Sequence, residues 1–230
     1  MLQHVYERAS QARYLTKLVI ATDDKEIFNA ARGFGAMVRM TRPDHASGTD
    51  RVAEVASSEE ADLIVNIQGD EPLIDPATID AAVLSLLDET GPPMGTLKKR
   101  IDDASEIDNP NVVKVVTDEA GDALYFSRCP IPYLRDGARV PSRFGYFKHI
   151  GLYIYRRDFL LQYSDLPVGP LETVERLEQL RALENGYRIR VVETEYDSLG
   201  VDTPEDLDRV SSLFEASCLK VGIHEVSKHG

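Results

Sequence analysis

An apolar run, Leu63-Ile-Val-Asn-Ile, ends abruptly in Gln68-Gly69-Asp70-Glu71-Pro72. A carboxylate directly after a buried strand is a hard oxygen donor suited to Mg²⁺, and open α/β sheets bind ligands beyond the carboxyl ends of their strands. Gly69 lets a ligand approach the backbone, and the Gln68 amide both donates and accepts hydrogen bonds. This set suits a nucleotide and its metal; it equally suits a plain turn before Pro72, because Asp and Gly dominate turns. A second aspartate, Asp202, lies in Gly200-Val-Asp-Thr-Pro-Glu-Asp-Leu. There Thr203, Pro204 and Asp206 spell a helix start with a capping box. Asp202 is not needed for that cap and is free to reach a cation, so we pair it with Asp70 as a candidate metal clamp.

His149-Ile-Gly-Leu-Tyr-Ile-Tyr alternates strictly, which puts Ile150, Leu152 and Ile154 on one strand face and His149, Gly151, Tyr153 and Tyr155 on the other. The second face is either a wall for a polyhydroxylated substrate or an ordinary half-exposed sheet face. In Leu177-Glu-Gln-Leu-Arg, the leucines together with Val174 and Leu183 supply a buried helical stripe. Glu178 and Gln179 are then solvated flanks or hydrogen-bonding groups for hydroxyls. Arg51, in Ser47-Gly-Thr-Asp-Arg, and Arg128, in Tyr125-Phe-Ser-Arg, are candidates to offset ligand anions, since guanidinium matches carboxylate and phosphate bidentately. Gly33-Phe-Gly35 follows a helix instead of a strand and reads as a helix stop, and Asp23-Asp24 reads as a helix start. Neither a G-x-S-x-G elbow nor a Walker A loop is present.

The elements that must position these residues alternate between short β-type runs and helical patterns, the sign of strand-helix-strand units. Strands are expected at Leu18 to Ala21, Met37 to Met40, Leu63 to Ile67 and Met94 to Leu97, with helices at Asp24 to Arg32, Asp50 to Ser57 and Pro76 to Leu87. Beyond Lys98 come β-type runs at Val112 to Thr117, Ala123 to Ser127 and Phe147 to Tyr155, a small antiparallel excursion. A helix from Leu171 to Glu184 stops at Asn185-Gly186, a strand follows at Arg188 to Glu193, and a last helix runs from Pro204 to about Phe214. The expected fold is α/β: a mainly parallel, Rossmann-like sheet with helices on both faces. Residues 1–215 form one domain, and residues 216–230 are left as an unassigned tail.

With 43% hydrophobic and 28% charged residues, the chain has the composition of a globular protein with a real core. Its net charge of −13 opposes binding to nucleic acid or an anionic membrane, so any anionic ligand depends on local cations or metal. No apolar stretch approaches the ~20 residues of a spanning helix, and the start lacks a secretory pattern. Two distant cysteines, Cys129 and Cys218, make no zinc motif and fit a reduced cytoplasmic compartment.

Taken in order, Ala21-Thr-Asp, Met40-Thr-Arg through Ser47-Gly-Thr-Asp-Arg, Val65-Asn-Ile-Gln-Gly-Asp-Glu-Pro, Asn109-Pro-Asn-Val-Val-Lys-Val-Val, Ala123-Leu-Tyr-Phe-Ser-Arg, His149-Ile-Gly-Leu-Tyr, Leu177-Glu-Gln-Leu-Arg and Gly200-Val-Asp-Thr-Pro-Glu-Asp-Leu closely resemble the 3-deoxy-manno-octulosonate cytidylyltransferases. The resemblance implies transfer of CMP from CTP to the sugar acid Kdo, with release of pyrophosphate, for lipopolysaccharide synthesis. It implies that Asp70 and Asp202 hold Mg²⁺, that Gln68 and Arg51 contact the cytidine portion, and that Arg128, His149, Tyr153, Glu178 and Gln179 hold the sugar acid. A homodimer is implied as well. Family members begin with a further strand and a Ser-Thr-Arg-Leu-Pro-Gly-Lys phosphate loop ahead of the helix resembling Met1 to Arg8, so weak turnover is expected of the 230-residue chain. The alternatives are a cytidylyltransferase for another sugar acid, 8-amino-Kdo or sialic-acid-like, and a non-catalytic α/β binding module on the same fold.

Overall fold

The computed structural model describes residues 1–135, 145–197, 199–201 and 203–214. Its elements in chain order are α1 (Leu2–Ala9), β1 (Ile20–Thr22), α2 (Lys25–Gly33), β2 (Val38–Met40), α3 (Gly48–Ser57), β3 (Leu63–Asn66), α4 (Pro76–Leu84), β4 (Met94–Arg100), β5 (Lys114–Thr117), β6 (Ala123–Ser127), β7 (Phe147–Arg156), α5 (Arg157–Tyr163), α6 (Pro170–Glu175), α7 (Leu180–Glu184) and β8 (Ile189–Glu193). Residues 204–214 are helical.

Side-chain caps set several helix starts by satisfying N–H groups that the first turn leaves unpaired. Asp24 accepts from the Glu26 and Ile27 amides at 2.7 and 2.9 Å, Ser47 accepts from Asp50 at 3.2 Å, and Asp75 accepts from Ala77 at 2.9 Å ahead of Pro76. Thr203 and Asp206 form the expected reciprocal capping box, at 3.2 and 3.0 Å.

Strand β7 is the hub of the sheet. One of its edges carries β4; the other carries β3 opposite residues 153–156 and β5 opposite Lys148. Strand β8 lies parallel beyond β4, and β6 lies antiparallel beyond β5. Because β3 and β4 both oppose β7, the strands β3, β4 and β8 share one direction, as do β1 and β2 in their own parallel pair. The fold is α/β as expected, with one difference: the antiparallel strand stands in the middle of the sheet. Its alternation explains this position, since both faces are covered. Ile150, Leu152 and Ile154 pack with Val5, Ala9, Ile79 and Val83 of α1 and α4, at roughly 1.5–3 kcal/mol for each large side chain buried. Tyr155 packs on the opposite side with Phe159, Tyr163, Leu177 and Leu180.

Among the described residues, β1 pairs only with β2 and β3 only with β7. A groove of about 540 Å³ lies beside them, lined by Leu18 and Ile20 from the β1 side, Leu63 and Val65 from β3, and Val5 and Ala9 from α1. Among the described residues β1 and β2 thus form a sheet of their own, separate from the six-stranded one.

Two expectations need correction. The single helix from Leu171 to Glu184 is broken into α6 and α7 around Arg176, which adopts the left-handed conformation at φ 53°. Val174, assigned to the buried stripe, is 81% exposed because the break ends the helical phase that would have turned it inward. Helix α5 was not anticipated: β7 runs straight into it through Arg156, without a side-chain cap to announce the change.

Candidate functional site

The break between α6 and α7 builds one wall of the site. Arg128, just past β6, sends Nε to the Glu175 carbonyl at 2.7 Å, one terminal nitrogen to the Arg176 carbonyl at 3.4 Å and the other to the Pro110 carbonyl at 2.9 Å. The Glu175 carboxylate in turn accepts from Ser127 Oγ at 2.6 Å and from the Arg128 amide at 2.9 Å. Carbonyls that would have continued the helix are taken up here, so α6 stops and Leu177 drops into the core. A bidentate Arg181–Glu172 pair, at 2.9 and 2.6 Å, closes α7 back on α6. Glu178 and Gln179 therefore sit in the connection between two helices, not on a solvated helix flank.

The side chains on this connection face β7. Gln179 is 3% exposed; its Oε1 accepts from the Tyr153 hydroxyl at 3.1 Å, and its buried amide nitrogen has no hydrogen-bond partner among the described residues. The Glu178 carboxylate accepts from Ser47 Oγ at 3.3 Å, while its backbone carbonyl accepts from Tyr163 Oη at 2.7 Å. Burial pushes the Glu178 carboxyl above the usual carboxylate range, partly offset by a hydrogen bond from Thr49 and the charge of Arg181. His149 and Tyr153 lie on the same strand face, rings 5.4 Å apart, and the His149 ring meets Phe126 edge-on at 5.1 Å. Burial pulls the imidazole pKa down to about 3, so it is neutral at physiological pH. Burial likewise raises the Tyr153 phenol well above its ordinary value, keeping it a hydroxyl donor.

The second part of the site lies at the carboxyl ends of β1, β2 and β3. Asn66 pairs with Tyr153 at the end of β3, and Gln68, Gly69 and Asp70 leave the sheet from there. The Asp70 carbonyl accepts from the Val201 amide at 3.0 Å, whereas its half-buried carboxylate makes no hydrogen bond or ion pair with described residues. Its proposed partner Asp202 lies outside the described residues. Beside the ends of β1 and β2, Arg51 bonds Thr41 Oγ1 at 2.5 Å and pairs with Asp23 at 3.1 Å. The start of α3 joins the two parts: Ser47 and Thr49 hold Glu178, and Arg51, from the same first turns, faces Asp23.

The structure thus joins His149, Tyr153, Glu178 and Gln179 into one wall and sets Gln68 and Asp70 at the strand end beside it. Arg128 instead serves to shape the wall, although guanidinium N–H groups remain for a ligand. Sequence reasoning missed Thr96, whose hydroxyl lies 2.9 Å from His149 Nε2; in Met94-Gly-Thr-Leu it carries no signal beyond a core strand. It also missed the role of Tyr163. Among the described residues no group of three or more His, Cys, Asp or Glu side chains is arranged to hold a metal alone. Mg²⁺ commonly takes one or two carboxylates and completes its shell with water and substrate phosphates, and the unpaired Asp70 carboxylate fits that donor set.

A cytidylyltransferase family model matches residues 1–189. The chain belongs to the cytidylyltransferase family. It is 74% identical, over 96% of its length and 86% of the relative's, to a 3-deoxy-manno-octulosonate cytidylyltransferase from Solibacter usitatus. A protein of the same name from Syntrophotalea carbinolica is 58% identical over 92% of this chain and 87% of its own. Among solved structures, a CMP:2-keto-3-deoxy-manno-octonic acid synthetase complexed with CTP superposes with a TM-score of 0.88 at 44% identity, covering 94% of this chain and 88% of that one. A 4-diphosphocytidyl-2C-methyl-D-erythritol synthase from Anaerococcus prevotii shares the fold at a TM-score of 0.60 and 12% identity. The protein is a nucleotidyltransferase with a Rossmann-like fold, and its family assignment does not favour a non-catalytic binding module.

Proposed function

We propose that this cytidylyltransferase transfers CMP from CTP to the anomeric hydroxyl of Kdo, forming CMP-Kdo and pyrophosphate for lipopolysaccharide synthesis. The observation that carries the sugar-acid half of this reading is the Gln179 amide, buried beside Tyr153 and without a hydrogen-bond partner among the described residues. A buried donor without a partner costs about 1–3 kcal/mol, and a ligand hydroxyl or carboxylate relieves that cost. The wall offers a fixed donor, a carboxyl and a neutral imidazole, complementary to a polyol, and Tyr153 orients the amide by occupying its oxygen. Ser47 and Thr49 hold Glu178 in place, so both substrate regions are set by the same helix start.

Arg51 and Gln68 are proposed to meet the nucleotide, and Arg128 to meet the sugar-acid carboxylate with the N–H groups it has left. Asp70, with Asp202, would hold Mg²⁺, which when bound neutralises phosphate charge. Reaction then depends on positioning the sugar hydroxyl in line with the α-phosphorus, a task of geometry more than of proton transfer. We further propose a cytoplasmic homodimer, supported by the sequence resemblance and by the lack of a helix, among the described residues, long and apolar enough to cross a membrane. Calorimetric titration with Kdo in the presence of CTP and Mg²⁺ tests the assignment. Gln179→Leu is expected to weaken Kdo binding by about tenfold or more while leaving CTP binding unchanged; equal loss of both ligands would argue against it, and preference for a sialic-acid-like sugar would move the substrate to that class.

A further inference from the structure

We propose that Thr96 is a positioning residue that fixes His149 as the tautomer protonated on Nε2, so that Nδ1 accepts a hydrogen bond from a hydroxyl of the sugar-acid substrate. The first half of this inference rests on the hydrogen-bond geometry around Thr96 and on a neutral ring, and the second rests on the function proposed above. Thr96 stands where the β4–β7 ladder is irregular: Gly95 pairs with Ile154 and Leu97 with Ile150, so the single residue Thr96 faces three residues of β7. At this irregularity the Thr96 hydroxyl reaches two backbone carbonyls, Leu152 at 2.9 Å and Ile150 at 3.1 Å, as well as His149 Nε2 at 2.9 Å.

A hydroxyl has one proton, and a carbonyl can only accept. If that proton went to a bare Nε2, the Thr96 oxygen would lie against two carbonyl oxygens at hydrogen-bond distance with no hydrogen between them. The satisfied arrangement sends the hydroxyl proton to the carbonyls and leaves the Thr96 oxygen to accept from Nε2–H. Thr96 is 1% exposed, so water cannot supply a substitute donor. The remaining nitrogen, Nδ1, then carries a lone pair with no hydrogen-bond partner among the described residues. Burial keeps the ring neutral, which this assignment requires. The wall thereby presents an acceptor at His149 and a donor at Gln179, each in contact with Tyr153, a pattern that favours a hydroxyl at the first position and discriminates against a sugar lacking it.

The test is ¹⁵N NMR of histidine-labelled protein, with the His149 signals assigned by their loss in His149→Gln, combined with Kdo titrations of the parent, Thr96→Val and Thr96→Ser. Nε2-protonated His149 is expected in the parent and in Thr96→Ser. Thr96→Val, of nearly the same shape, should lose that preference and bind Kdo about tenfold more weakly, with CTP affinity unchanged. A parent that binds Kdo but carries the proton on Nδ1 would overturn the inference alone. So would a folded Thr96→Val with parental tautomer and parental Kdo affinity. A parent that binds CTP but no sugar acid would overturn the functional reading, and with it the recognition role of Thr96.

Discussion

The proton uptake that burial denies to His149 should destabilise this protein at mildly acidic pH, and the size of the effect follows from where the ring sits. Its pKa in the folded chain is near 3, because burial penalises the cation, against an ordinary value of 6.5 once unfolded. Below pH 6.5 the unfolded chain takes up a proton that the folded chain refuses. The stabilisation is complete above that pH, is lost progressively as pH falls, and levels off near pH 3. Each unit of pH in this window costs about 1.4 kcal/mol, so roughly 2 kcal/mol is gone at pH 5. That is a large part of the 5–15 kcal/mol typical of a folded domain. The assay is urea unfolding at about pH 7.5 and pH 5 for the parent and for His149→Gln, whose amide can still donate to Thr96. Other carboxylates and histidines titrate alike in both proteins, so the difference between their pH dependences isolates His149. The parent should lose about 2 kcal/mol more than the variant. Equal losses would refute the claim that the ring is held neutral by burial, and a larger loss in the variant would reverse its sign.

Burial raises the Glu178 carboxyl pKa, so the parent loses stability as pH rises from the usual carboxylate value through the raised one, and Glu178→Gln removes that loss. The variant should therefore be more stable at neutral pH, by about 2–4 °C in Tm for each kcal/mol gained, yet bind Kdo more weakly; scanning calorimetry and titration report the two effects separately. Arg128→Met leaves the Glu175, Arg176 and Pro110 carbonyls short of the guanidinium donors they have in the parent, and is expected to cost about 2–3 kcal/mol in denaturant unfolding. Gly169→Ala drives a methyl group into the Glu184 carboxylate, which accepts from the Leu171 and Glu172 amides at 2.9 and 3.0 Å; losing that cap to α6 should cost about 1–2 kcal/mol.

Where a local signal decides the backbone, the sequence is legible. Strand β6 has the expected limits, Asp24 and Thr203 cap their helices, and Gly35 and Gly186 turn the chain at φ 81° after helix ends. The break at Arg176 is illegible for a physical reason: Leu171 to Glu184 has helical periodicity throughout, and the groups that stop it come from Arg128, 47 and 48 residues away in the chain. That one tertiary contact turns Glu178 and Gln179 from flank residues into site residues. The central place of β7 is illegible for a similar reason, since alternation in Phe147 to Arg156 shows two distinct faces but not which strands flank them. Thr96 is invisible because a threonine in an apolar strand has no pattern; only the irregular pairing with β7 gives its hydroxyl a task.

Product identity is the most direct test of the proposed reaction. Stoichiometric protein is incubated at length with CTP, Kdo and Mg²⁺, so that slow turnover still registers, and the mixture is analysed by mass spectrometry beside Asp70→Asn. CMP-Kdo and pyrophosphate are expected from the parent, dependent on both substrates, and none from the variant. No CMP-Kdo from a parent that binds both substrates, or equal yields from the two proteins, would contradict the proposed reaction.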